Sequence, residues 1–250
     1  MRPAARHAAT TGADGAPACL GVVIPCYNEA GTVDEVIRRV LAQPVVRRIV
    51  VVDDGSVDDS WAQLSTWPGR DPRVEVLRRS ANGGKGAAVR DGLARLDTPV
   101  VVIQDADLEY TPEDLPRLLE PILRGTADVV YGTRFAGGAA AAGPWWHQPA
   151  NRLFTWFCNL VTGLRLSDEA VGYKMFRVAP LADIRLRENG FGFCPEFTAT
   201  VARLGLRVAE VPVAYRRRTR AQGKKFKRRH GLEAVACILR YGLGRGRRRR

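Results

Sequence analysis

The sequence predicts one α/β domain, a mostly parallel sheet flanked by helices, and three observations carry that prediction. Apolar runs of strand length alternate with amphipathic segments of helix length from residue 20 to about 132. Polar clusters stand where the first, second and fourth of those runs end, the edge at which open α/β sheets bind ligands. A chain of 250 residues with 46% hydrophobic content fills one sizeable core and is too small for two comfortable domains.

Strands rich in Val, Ile and Leu are expected at Leu20–Ile24, Arg48–Val52, Val74–Leu77, Val100–Ile103 and Val129–Tyr131. Helices are expected at Thr32–Ala42, Asp58–Thr66, Lys85–Leu96 and Pro112–Leu123. Thr32, three residues before Glu35, has the spacing of a capping box, and Pro112 after Thr111 that of a first-turn proline. Ala136–Pro144 reads as a small-residue linker or mobile loop. Residues 145 to 215 read as helices and short strands closing over the ligand edge, and Gly231–Gly244 as the last helix. The expected organisation is a disordered tail over 1–18, the domain over 19–215, a basic loop and helix completing it over 216–244, and a basic tail over 245–250.

The charge of +13 is unevenly placed. Residues 216 to 250 hold 15 of the 39 Lys and Arg but one acid, Glu233, for a charge of +14, while the other 215 residues sum to −1. A basic segment on a near-neutral body suggests an anionic partner: a membrane surface, a phosphorylated substrate or nucleic acid. The five cysteines form no CxxC pair, which indicates neither a zinc site nor a disulfide framework and fits a reducing cytoplasm. The first eighteen residues lack a signal-peptide core and no run of eighteen apolar residues occurs, so neither export nor a membrane span is expected. The segment FTWFCNLVTGLRL, Phe154 to Leu166, is too short and polar to cross a bilayer; core packing is the preferred reading, with an interfacial position as the alternative.

Asp105-Ala106-Asp107 directly follows the apolar run Val100–Ile103, so a strand delivers two carboxylates to the ligand edge. They can ligate Mg²⁺ or Mn²⁺, which takes carboxylate oxygens on one side and diphosphate oxygens on the other. Asp53-Asp54-Gly55-Ser56 ends the second strand; such acids can accept hydrogen bonds from a nucleobase or ribose, or serve a turn with Asp58 capping the helix. Asn82-Gly83-Gly84-Lys85-Gly86 precedes a helix, so its backbone N–H groups can approach a phosphate while Lys85 adds charge. It lacks P-loop spacing, and no GxGxxG follows the first strand, which argues against a nicotinamide dehydrogenase.

The blocks VVIPCYNEAGTVDEVI, VVDDGSVDD, NGGKGAAVRDGL, DADLEYTPEDL and YGTRF occur in the order seen in glycosyltransferase family 2, which the sequence resembles. The likeness runs from about Gly21 to Tyr241, and LSDEAVGYKMFR, PEFTATVARLGLRVAEVPVAY and GKKFKRRHG are similar to the dolichyl- and polyprenyl-phosphate mannosyltransferases and glucosyltransferases. The resemblance implies a GT-A type, Rossmann-like fold that binds a nucleotide-sugar donor, GDP-mannose or UDP-glucose. It implies that Pro25, Tyr27, Glu29, Val52 and Asp54 surround the nucleotide and that Asp105, Ala106 and Asp107 hold metal and diphosphate. Arg134 matches an arginine near the donor or acceptor phosphate, and Arg218 with Lys224 or Lys225 a basic pair over the diphosphate. Glu109 departs from the Gln or Ser that many relatives carry. The implied acceptor is a polyprenyl phosphate, met by a peripheral protein at the cytoplasmic membrane face, with the basic segment contributing about 1 kcal/mol per Lys or Arg near anionic lipid.

A phosphate acceptor, with a second pKa of about 6, needs no strong base, so inverting displacement reduces to positioning and electrostatics. A sugar-hydroxyl acceptor needs a base, for which Asp168 or Glu169 is the candidate; Asp168 can equally cap a turn. His7, His147 and His230 have no partner at metal-binding spacing. A nucleotidyltransferase could use the same acidic edge, and a nucleic-acid-binding protein would explain the basic runs; no nucleic acid is expected, because the groove is lined with acids.

Overall fold

The computed structural model describes residues 18–135, 147–218 and 228–242, so the expected tails and the linker at Ala136–Pro144 lie outside the described residues. Seven strands form one sheet in the order β3-β2-β1-β4-β6-β5-β7. They are β1 (Leu20–Cys26), β2 (Val46–Asp53), β3 (Val74–Arg78), β4 (Val100–Ile103), β5 (Val129–Thr133), β6 (Lys174–Arg177) and β7 (Val208–Pro212). The first four are mutually parallel. All five strands expected from the sequence are present, each starting and ending within two residues of its expected bounds.

β1 lies at the centre of the parallel half and is buried along nearly its whole length, as a strand covered by helices on both faces must be. The covering helices are α1 (Val33–Leu41), α2 (Ser60–Leu64), α3 (Lys85–Leu93) and α4 (Leu115–Leu123). α1 buries Val33, Val36, Ile37 and Val40, a stripe at helical spacing, against the same core.

The sheet is mostly parallel, as expected, and two expectations of local detail are corrected. Thr32 makes no capping-box bond; its hydroxyl donates instead to Glu29 Oε2 and to the carbonyl of Ala106, both 3.0 Å away, because a carboxylate and a carbonyl at the sheet edge compete for that proton. Pro112 opens a separate 3-10 turn, Pro112–Asp114, before α4. β6 runs antiparallel between β4 and β5, so the sheet is mixed on its second side.

That second side carries α5 (His147–Thr162), α6 (Phe193–Arg203) and α7 (Arg228–Gly242). Cys158, Ala199 and Ile238 form their common core, with Phe154, Phe157, Val161 and Tyr241 against it. Core packing therefore accounts for half of the 154–166 segment; Trp156 and Leu160 face solvent because they fall on the opposite side of α5. Among the described residues no helix is long and apolar enough to cross a membrane. The five cysteines are free.

Candidate active site

The loops leaving β1, β2 and β4 meet at one edge of the sheet. Half-buried Pro25 stands near the end of β1, and the loop after it holds half-buried Tyr27, then Asn28 in the left-handed region at φ 51°, and buried Glu29. Side chains of the next loop fix it: Ser56 Oγ accepts from Asn28 N at 2.9 Å, Ser60 Oγ from Glu29 N at 2.8 Å, and Asp58 from Ala30 N at 3.2 Å. Asp58 also accepts from Ser60 N, so it turns the chain into α2 as well as joining two site loops. The Val52 side chain is fully buried with Val50 and Ala88.

The carboxylates ending β2 are both buried. Asp53 Oδ1 accepts from Ser56 N at 3.2 Å, while its Oδ2 has no hydrogen-bond partner among the described residues and faces Arg78 Nε at 3.6 Å. Asp54 accepts from Gly83 N at 2.9 Å and Gly84 N at 2.7 Å. Those two amides are therefore committed to Asp54 and not offered to a phosphate, which corrects the expected cradle. Gly84 sits at φ 95°, and a Cβ on Gly86 would strike the backbone of Glu188; glycine here allows loop-to-loop contact.

Beyond β4, Lys85 Nζ reaches across from the start of α3 to Asp105 Oδ1. Burial opposes the Lys85 charge, but Asp105 outweighs it and holds the ammonium above its ordinary range. Asp107 stands among acids: burial first, then the charges of Asp105, Glu109 and Glu29, push its carboxyl up to about 7. Arg218 enters from the segment after β7, donating through Nη1 to Glu29 Oε2 at 2.8 Å and lying 3.6 Å from Asp107 Oδ2. Glu109 holds that segment, accepting from Arg218 N at 2.7 Å and from the Tyr215 hydroxyl at 3.1 Å. The edge thus gathers four carboxylates with Lys85 and Arg218. Lys224 lies outside the described residues.

On the second side, Arg134 follows β5. Its Nε and Nη2 both donate to Asp168 at 2.7 Å, and its guanidinium lies 5.1 Å from the Tyr215 ring centre. Asp168 is fully buried and spends both oxygens on Arg134, the geometry of a group that orients an arginine. Its Oδ2 also accepts from Arg134 N at 3.1 Å. Glu169 is buried behind it and accepts from Thr198 Oγ1 at 2.9 Å; burial pushes its carboxyl up. Glu169 Oε2 makes no hydrogen bond among the described residues, so of the two candidate bases only Asp168 is engaged by an arginine.

The sequence left two supports unassigned. Gly172 N donates to the Tyr110 hydroxyl at 2.9 Å, and a Cβ on Gly172 would collide with Asp105 Oδ2 and lie 2.8 Å from Tyr110 Cε2. The Tyr110 ring sits 4.9 Å from Tyr173 and 5.2 Å from Tyr215, an aromatic floor under the acidic edge. A glycine beside an aromatic in the GYK triplet was the only signal for it.

Two carboxylates one residue apart, within a crowd of acids too dense for its own cations, make an arrangement suited to a divalent cation shared with a ligand. Among the described residues no group of three or more His, Cys, Asp or Glu forms a fuller cage. Asp105 and Asp107 fit a cation such as Mg²⁺, which binds through one or two carboxylates and completes its shell with phosphate oxygens and water.

Comparison with known proteins points the same way. Residues 21–185 match glycosyl transferase family 2. An undecaprenyl-phosphate mannosyltransferase of Micrococcus luteus is 35% identical over 88% of this chain and 93% of its own. A polyprenol monophosphomannose synthase of Mycolicibacterium smegmatis is 32% identical over 79% of this chain and 77% of its own. Among solved structures, glucosyl-3-phosphoglycerate synthase from Mycobacterium tuberculosis in complex with UDP superposes with a TM-score of 0.69 over 90% of this chain and 80% of its own. At 23% identity this is a likeness of fold.

Proposed function

We propose, because the chain belongs to glycosyltransferase family 2 and carries an acidic edge beyond β1, β2 and β4, that it moves a hexose from a nucleotide-diphosphate sugar to a polyprenyl phosphate with inversion. It is a glycosyltransferase of GT-A fold; the sugar, the acceptor, the metal and the stereochemistry are the proposal. The relatives named for undecaprenyl-phosphate and polyprenol acceptors support the acceptor class, and their mannose favours GDP-mannose over UDP-glucose as the donor. The same glucosyl-3-phosphoglycerate synthase has been crystallised with Mn²⁺ and UDP-glucose, which is in keeping with a cation at Asp105 and Asp107.

Asp53, whose buried Oδ2 makes no hydrogen bond among the described residues and lies 3.6 Å from Arg78 Nε, offers an acceptor to the base, and Tyr27 and Glu29 line the nucleotide. A Mg²⁺ or Mn²⁺ ion held by Asp105 and Asp107 would neutralise diphosphate charge. Arg218 adds a cation on the same side, positioned by Glu109, and Lys224 joins it. Lys85 fixes the orientation of Asp105. Arg134, its plane set by Asp168, faces the incoming phosphate. A phosphate oxygen attacks the anomeric carbon while the bond to the nucleoside diphosphate breaks with its electron pair. A phosphate with a second pKa of about 6 is already largely dianionic at neutral pH, so no base is needed.

The observation that carries this reading is the bidentate Arg134–Asp168 pair: the candidate base is occupied, and an oriented arginine takes its place, as a phosphate nucleophile requires. The enzyme would meet its lipid at the inner membrane face, drawn there by the basic segment over 216–250. The test offers purified protein, with Mg²⁺ or Mn²⁺, a short-chain polyprenyl phosphate, the dephosphorylated polyprenol and a simple glycoside, each with GDP-mannose or UDP-glucose. Glycolipid from the phosphate alone is expected; product from the polyprenol or glycoside in its place sinks the phosphate-acceptor reading.

A further inference from the structure

The exposed faces of α5 and α7 are left unused by the transfer reaction. On α5, Leu153, Trp156 and Leu160 are 65%, 60% and 67% exposed; on α7, Leu232, Val235 and Leu239 are 76%, 36% and 39% exposed. Both triplets have the same three-then-four spacing, which places each on one stripe of its helix. The opposite stripes, with Phe154, Phe157, Cys158 and Val161 on α5 and Ile238 and Tyr241 on α7, already supply the buried seam of this side. The two helices meet closely at Gly242, where a Cβ would collide with Val161. Six large apolar side chains on two packed helices are more than scattered surface hydrophobes, and a soluble surface rarely keeps such a patch without a partner.

Charge selects the partner. α5 carries no acidic residue, α7 carries only Glu233, and the segment that contains α7 has a charge of +14. A second copy of the chain would bring two such segments together, whereas an anionic bilayer complements them. An amphipathic helix with Trp and Leu on one face and basic residues around it lies in the plane of a lipid interface.

We propose that the Leu153/Trp156/Leu160 face of α5 and the Leu232/Val235/Leu239 face of α7 insert together into the headgroup boundary of an anionic bilayer, an inference that rests on a lipid-borne acceptor. The face connects to both sides of the site. Asn159 on α5 exchanges two hydrogen bonds with Leu166, at 2.8 and 2.9 Å, and Thr155 accepts from Glu169 N at 3.2 Å, so α5 holds the loop that bears Asp168. Tyr241 on α7 donates to Glu188 at 2.9 Å, and the backbone of 188–190 packs on Gly84 and Gly86 around Lys85. Through these contacts each of the two helices is tied to one side of the site.

The experiment is flotation of the full chain with vesicles of phosphatidylcholine containing a minority of phosphatidylglycerol, at low and high salt. The wild type is expected to float at both, and the Leu153→Ser/Trp156→Ser/Leu160→Ser variant to lose about tenfold or more in vesicle partition at high salt. The variant should keep its rate on a water-soluble short-chain acceptor, which also shows that it folds. Trp156→Phe should keep binding while losing part of the tryptophan quenching by brominated lipid. Equal flotation of wild type and triple variant, complete loss of wild-type binding at high salt, or a lipid-free dimer that the triple variant dissociates would each overturn the proposal. Absence of transfer to any polyprenyl phosphate, with stripe-dependent flotation intact, removes the acceptor assignment and leaves the membrane face standing.

Discussion

Gly172→Ala tests whether the floor beneath Asp105 is as tight as the structure makes it. The added Cβ lies 2.8 Å from Tyr110 Cε2 and nearer still to Asp105 Oδ2, against about 3.5 Å for a comfortable carbon contact. Something must therefore move by roughly 0.7 Å or more. Tyr110 is buried and fixed by its ring neighbours and by the Gly172 amide, so relief falls largely on Asp105, which gives up its orientation towards Lys85. Overpacking of this size costs about 1–3 kcal/mol in stability. Displacement of a substrate-positioning group by about 1 Å can cost on the order of 100-fold in rate, so kcat/KM should fall roughly 10- to 100-fold. Steady-state kinetics with nucleotide sugar and short-chain polyprenyl phosphate, alongside thermal unfolding, read both effects. Gly31→Ala is the control, because nothing lies within 4 Å of a Cβ there. A Gly172→Ala enzyme with kcat/KM and melting temperature both matching the control would refute the reasoning.

Asp168→Ala leaves the Arg134 guanidinium buried without its counter-charge, and breaking a pair of this kind costs about 3–5 kcal/mol; an unchanged denaturant midpoint would contradict it. Glu109→Ala removes the acceptor of both hydrogen bonds that Arg218 N and Tyr215 now give it, each bond to a charged acceptor being worth about 1.5–3 kcal/mol. It should therefore lower kcat/KM about 10- to 100-fold, and wild-type kinetics would show that Glu109 does not position Arg218. Chelation with EDTA should abolish transfer and added Mg²⁺ or Mn²⁺ restore it; full activity in EDTA would remove the metal from the account. Asp107→Asn should abolish transfer even with metal in excess, and retained turnover would take Asp107 out of the site.

The parallel half of the fold was legible because its signals are local. Apolar runs such as Val100–Ile103 end in acids, and helices such as α1 repeat apolar residues at helical spacing, so both element type and ligand edge could be read along the chain. The antiparallel β6 was not legible, since strand direction in KMFR is set by pairing with β4 and β5 and leaves no mark on the residues themselves. Site composition was also readable, but partner choice was not. The amides of Gly83 and Gly84 looked free for phosphate, yet a carboxylate thirty residues earlier in sequence takes them. Asp168 looked like a base because its bidentate partner, Arg134, lies 34 residues away. For Phe154 to Leu166 the sequence leaves core packing and an interfacial position both open; only the position of α6 and α7 shows that one side of α5 is enough to fill the seam.

Direct displacement by a phosphate oxygen inverts the anomeric carbon, and proton and phosphorus magnetic resonance of the glycolipid reads its anomeric configuration. From an α-linked nucleotide sugar the expected product is a β-hexosyl phosphate bonded through the polyprenyl phosphate oxygen. An α-linked product, or sugar carried on anything other than that phosphate, would contradict it.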